Sequence, residues 1–204
     1  YSFSRIYKYF DLKRYKSVPV YFASFVVLTF FVYLNIPMFF KYDKSKLEEI
    51  VCKELNVECS IRGKTRYTFY PSPRIKFDDF IIKDFTDKDK ILGEIKNVSI
   101  KISFYNLHNK NKFNYTKILL KNGKIYLNLA RLKEYKSFSE KKFKSKPINF
   151  TNGEIGFFDE KKEIATIKNV GFNFNLKKNI DKAILKGDFL GDKIYISLQN
   201  NKKK

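Results

Sequence analysis

The chain has 204 residues, with 42 Lys and Arg against 21 Asp and Glu, one His and two Cys. That length leaves room for one domain beside a membrane segment, or for the start of a larger one, and one histidine with no carboxylate or cysteine cluster near it makes a poor metal site. The formal charge of +21 raises nucleic acid as a partner. The basic residues are spread along the chain, however, with no helical stripe and no nucleic-acid motif, so none is expected. Compositional bias or attraction to anionic lipid accounts for the charge.

Residues 1–17 form a basic segment carrying Arg5, Lys8, Lys13, Arg14 and Lys16. Phe3, Ile6, Tyr7 and Phe10 fall at helical spacing within it, which suits either a short helix at headgroup level or an unstructured tail. Residues 18–40 follow without one charged side chain. At about 1.5 Å per residue, a helix of that length covers a bilayer core of about 30 Å, and it is expected to cross a membrane. The run is longer than a signal-peptide core and no small-residue cleavage site follows, so an uncleaved anchor is expected. The Lys/Arg bias across it is small, and a cytoplasmic N-terminus with an exported remainder is the preferred orientation. The chain opens on Tyr1 rather than Met and is expected to be a trimmed piece of a longer one.

Residues 41–56 predict a short helix from about Ser45 to Leu55, with Ser45 and Glu48 as a capping box and Leu47, Ile50, Val51 and Leu55 on one face. Cys52 and Cys59 are close in sequence, and a disulfide or two buried free thiols both fit. From residue 57 the apolar period changes to two. Alternation runs through 62–69, 98–104, 125–129, 170–176 and 194–198, each predicting a strand with one apolar face. Asn122-Gly123 and Asn152-Gly153 read as turn dipeptides. Residues 130–146 are basic, lack alternation and predict an exposed loop or short helix, and His108 reads as a solvated loop residue. Two phrases recur: Ile95-Lys96-Asn97-Val98 returns as Ile167-Lys168-Asn169-Val170, and 118–125 is echoed by 148–155. Such echoes predict an array of similar strand units.

About ten amphipathic strands make a large apolar face, and no second amphipathic helix follows Asn56 to cover it. The face must close on itself as a sandwich or barrel, or meet an apolar ligand such as a lipid acyl chain. In the second case Val98, Ile100, Ile102, Phe104, Ile125, Leu127, Leu129, Phe172, Phe174 and Leu176 would line the trough. In the first, the domain is a membrane-anchored scaffold whose strand edges recruit envelope-assembly partners. No catalysis is expected, since G-x-S-x-G, H-E-x-x-H, a Gly-rich phosphate loop and a Cys/His pair are all missing, and no cofactor or metal is implied. The paired carboxylates Asp78-Asp79 and Asp87/Asp89 read as solvated turn residues.

The order of parts resembles the opening of the AsmA family: an anchor, a short helix, a strand near Gly63, and the Pro-marked turn of 70–73 leading into strand 74–80. The run 152–159 is similar to the family's second pattern, an Asn-Gly step, a strand and an Asp, and 184–189 to its next hairpin. The likeness covers nearly the whole chain as the N-terminal portion of a longer family member. The resemblance implies an inner-membrane protein with a periplasmic β-rich groove, related to TamB and chorein-type bridge-like lipid transfer proteins. It further implies a role in outer-membrane biogenesis through phospholipid transport, with no catalytic residues. The expected fold class is therefore mainly β: an N-terminal transmembrane helix and a short helix, then a curved antiparallel β-sheet groove of repeated hairpins over 57–204.

Overall fold

Uncharged residues carry the first helix, α1 (Val18–Asn35), which ends in a 3-10 turn at Ile36–Phe39. Over Val18–Phe39 the chain is long and apolar enough to cross a membrane, and little of it is buried by the rest of the protein. Those coordinates belong to a computed structural model, which describes residues 18–55, 57–85, 87, 89–109, 115–136, 146–176 and 180–201. The basic segment 1–17, with its expected headgroup helix, lies outside the described residues.

Helix α2 (Lys44–Leu55) starts one residue before the expected Ser45. Its cap differs from the expected box: the Asp43 carboxylate accepts from the Ser45 amide at 3.1 Å, while Glu48 accepts from the Ile61 amide at 2.6 Å. The strand amide competes for Glu48, and Asp is as good an N-cap as Ser. Leu47 and Val51 point into the core and Ile50 packs against it; the Leu55 side chain lies outside the described ones. Cys52 and Cys59 are joined by a disulfide, Cα to Cα 5.5 Å, tying α2 to the first strand. Closing so short a loop is worth roughly 2 kcal/mol. Cys59→Ser is expected to lower stability by about that much. In thermal unfolding, a reductant should then move the native protein to the variant's midpoint and leave the variant where it is.

The rest is one open, curved sheet. Its strands are β1 (Cys59–Ile61), β2 (Thr65–Thr68), β3 (Arg74–Lys83), β4 (Ile91–Ile102), β5 (Tyr115–Asn128), β6 (Ile148–Asp159), β7 (Lys162–Leu176), β8 (Ile180–Phe189) and β9 (Asp192–Asn201). Neighbours follow chain order from β3 to β9, and β1 and β2 share the outer edge of β3. Every pair is antiparallel except β5 and β6, which run parallel. The sheet is therefore mixed where a wholly antiparallel one was expected. The segment between those two strands returns the chain to the pole it left. Its described part is a 3-10 turn at Leu129–Arg131 and a helical turn at 132–136. Tyr135 pins that turn, donating to buried Asp84 at 3.3 Å, with Arg131 3.8 Å from the same carboxylate.

β2 is shorter than the expected 62–69; the later strands are longer than alternation foretold, because alternation breaks in the middle of five of them. Apolar side chains step by two, then once by three over a polar pair. The steps are Phe77 to Phe80, Ile95 to Val98, Leu120 to Gly123, Phe150 to Gly153 and Ile167 to Val170. Asn122-Gly123 and Asn152-Gly153 are thus not turns: both lie inside continuous strands. Asp79, Asn122, Asn152 and Asn169 take left-handed backbone at φ 53°, 55°, 54° and 52°. Asx residues tolerate that conformation best after glycine. From β3 to β5 the steps lie side by side and the pairing register is the same on both sides. Between β6 and β7 the register shifts on either side of Gly153, as at a β-bulge. At β8, which lacks the step, the register shifts by one residue between Lys168 and Gly171 of β7. The outcome is a crease running across the sheet. On its polar side the amides form a ladder: Arg66 pairs with Asp78 at 3.2 Å, Asn97 donates to Asp78 at 3.2 Å, Asn122 to Asn97 at 3.0 Å, and Asn152 to Asn122 at 2.5 Å.

The apolar side of the creased strands forms one buried cluster with Leu34 of α1 and Leu47 and Val51 of α2. Ile75, Phe77, Phe80, Ile100, Ile118 and Val170 are wholly shielded. A flat sheet without a second layer would leave such side chains half exposed. Here the curved sheet and the residues of α1 and α2 enclose them together.

Candidate functional site

The apolar side is the candidate site, and it changes character along the sheet. Of the residues expected to line a trough, Val98, Ile100, Ile102 and Phe174 are buried in the core. Ile125 and Phe172 pack against that core, and Leu127 and Leu129 are half-buried. Phe104 stands apart, exposed in the 3-10 turn Phe104–Asn106 after β4. The Leu176 side chain lies outside the described ones, although its backbone pairs with Asp181. The structure thus gathers most of the set on one side, where the strands' own side chains fill the space.

Toward β8 and β9 the filling runs out. Cross-strand pairing places Ala183 with Leu198, Leu185 with Ile196, and Gly187 with Ile194, so all share one side. Ala183, Leu185, Phe189 and Ile194 pack only partly against the core. Ile196 and Leu198 stay 48% and 67% exposed. The alternation at 194–198 signalled a strand; which side of it faced outward into open space depended on pairing partners that alternation does not specify.

Electrostatics separates the two sides. The exposed Lys121, Lys168, Lys182, Lys186 and Lys193 line the polar side and the sheet's margin. A basin of about 720 Å³ lies over the crease, with Arg62, Lys96 and Lys124 set against Asp79, Glu94 and Glu154. Lys124 is 3.2 Å from Glu163 and 3.9 Å from Glu154. The Thr166 hydroxyl and then Lys124 hold the Glu163 carboxyl below its usual range. The charges balance locally, so the basin concentrates neither sign. Burial pushes the Tyr67 phenol up to about 12, with Tyr33 adding to the effect, and raises Tyr42 further. Tyr67 therefore keeps its proton across the physiological range and donates it to the Leu34 carbonyl at 2.7 Å.

His108 lies exposed in a turn with its ring 6.4 Å from that of Tyr33. Among the described residues no group of three or more His, Cys, Asp and Glu is placed to hold a metal. Comparison with protein-family models and with curated proteins returned no match.

Proposed function

We propose that this protein is anchored in a bacterial inner membrane by α1, with its N-terminus cytoplasmic and its sheet in the periplasm. There it serves outer-membrane biogenesis by carrying or bridging phospholipid along its apolar side. The observation that carries the reading is the open end of that side. Ile196 and Leu198 remain exposed beside a continuous apolar core, in a chain whose first helix is fit to cross a bilayer. Each acyl CH₂ moved from water onto such a surface gains about 0.8 kcal/mol. An acyl chain seated against β8 and β9 would cover what the polypeptide leaves bare. The resemblance to the AsmA family in order of parts supports the same reading.

A photoreactive phenylalanine analogue at Leu198 tests it in cell membranes. Phospholipid adducts at that position are expected, found by mass spectrometry, with few at Tyr195, which is 60% exposed but lies beside Lys186 on the opposite side of the sheet. Leu198→Asp should reduce lipid bound at the neighbouring Ile196 at least about fivefold while the fold persists, since a charge there opposes acyl contact. Equal labelling at both positions, or none, would remove the lipid reading.

One observation favours a second reading. The burial of Val98, Ile100, Ile102 and Phe174 is what a self-sufficient scaffold requires. In that case β9 would recruit an envelope protein by strand pairing, and the same probe would yield a protein adduct in place of lipid.

A further inference from the structure

We infer that the pole of the sheet nearest α1 is itself a membrane-contacting surface, seated at headgroup level by the aromatic side chains of two turns. This rests on reading α1 as a span. Three contacts fix the end of α1 to that pole. Tyr33 donates to the Phe104 carbonyl at 2.8 Å, Tyr67 donates to the Leu34 carbonyl at 2.7 Å, and the Phe31 and Phe69 rings lie 5.3 Å apart. The turn after β2 and the turn after β4 are neighbours there, joined by the Ile102 amide donating to the Pro73 carbonyl at 2.9 Å.

Continuity with the span makes the bilayer the occupant. The apolar stretch fit to cross runs on to Phe39, and Phe31, Tyr33 and Leu34, which touch the pole, lie within it. Whatever those residues touch is held at the membrane boundary. The side chains at this pole fit the place. Tyr70 is 76% exposed, Tyr105 86% and Phe39 86%, and Phe104 and Met38 beside them are also exposed. Large aromatic residues bared to water cost solvation, whereas at headgroup level their rings meet acyl chain and their hydroxyls meet water. The far pole is mixed: Glu160, Lys161, Asp87 and Lys90 are found there beside exposed Leu190, and its aromatic residues Phe85 and Tyr135 pack on each other with ring centres 5.3 Å apart.

The chain has no tryptophan, so one introduced indole reports alone. The full chain is reconstituted in vesicles of phosphatidylcholine and phosphatidylglycerol with acyl-chain bromines as quenchers. Tyr105→Trp and, separately, Tyr70→Trp are expected to lose roughly half their emission and to shift blue, as interfacial indoles do. Tyr195→Trp, near the far pole, should be unaffected, and Phe25→Trp, within α1, should be quenched most by the deepest bromines. Quenching of Phe25→Trp without that of Tyr105→Trp or Tyr70→Trp would overturn the inference and leave the span standing. Absence of quenching in Phe25→Trp would remove the span and the inference together.

Discussion

Gly123→Val is expected to cost about 3 kcal/mol or more, enough to unfold much of a domain of ordinary stability. A Cβ at Gly123 would lie 2.8 Å from the Glu94 carbonyl oxygen and 2.9 and 3.1 Å from Ile95 Cγ1 and Cα. Two of those atoms are backbone of the paired strand, so relief requires β4 and β5 to part. Asn122→Gly gives the contrast. Glycine adopts the left-handed backbone at residue 122 freely, and the loss is confined to two exposed amide hydrogen bonds in the ladder, worth about 1 kcal/mol. Thermal unfolding of the full chain in detergent, followed by far-ultraviolet circular dichroism, separates the two. Equal midpoints for the variants would show that close approach at the crease is unimportant.

The second large effect is expected from Ile100→Asp. Ile100 is wholly buried among the core residues of β3 to β7. An aspartate there would lose the packing of the isoleucine and leave a carboxylate without a partner, together on the order of 5 kcal/mol. The variant should accumulate poorly and be cut rapidly by protease beyond α1. Leu198→Asp, on the same side but 67% exposed, should be cut no faster than the native chain. This pair divides the apolar side into a region that holds the fold and a region free to take a ligand. A folded, protease-resistant Ile100→Asp would mean that the core region is itself open.

Much of the fold was legible. An uncharged run, a short amphipathic helix and a change of period from 3.6 to two identify α1, α2 and a β domain in that order, because each pattern reflects which face must leave water. The crease leaves a mark in the sequence: the Ile-Lys-Asn-Val phrase and the Leu-Lys-Asn-Gly and Phe-Thr-Asn-Gly pair each fall at one point along it. Two adjacent polar residues break alternation whether the chain reverses or only bulges. Local pattern cannot distinguish Asn122-Gly123 in a hairpin from Asn122-Gly123 within a strand, since both use left-handed backbone. The parallel pairing of β5 and β6 was likewise beyond local pattern, as nothing in 130–146 dictates which pole the chain returns to. For the candidate site, alternation assigned Ile100 and Phe174 to the apolar side correctly. Whether a residue there is covered depends on how far the sheet curls, a property of nine strands together.

In an ordinary sheet, sliding one strand by a single residue exchanges inside for outside and is heavily penalised, but sliding it by two keeps every side chain on its proper side. The aligned steps of β3, β4 and β5 remove that second freedom. A two-residue slip of β5 would set Asn122 and its left-handed backbone opposite residues that continue straight, breaking the amide ladder and the bend together. The repeated phrase therefore works as an alignment key, selecting one register from the several that hydrophobic matching alone would accept while a chain of similar strands is assembling.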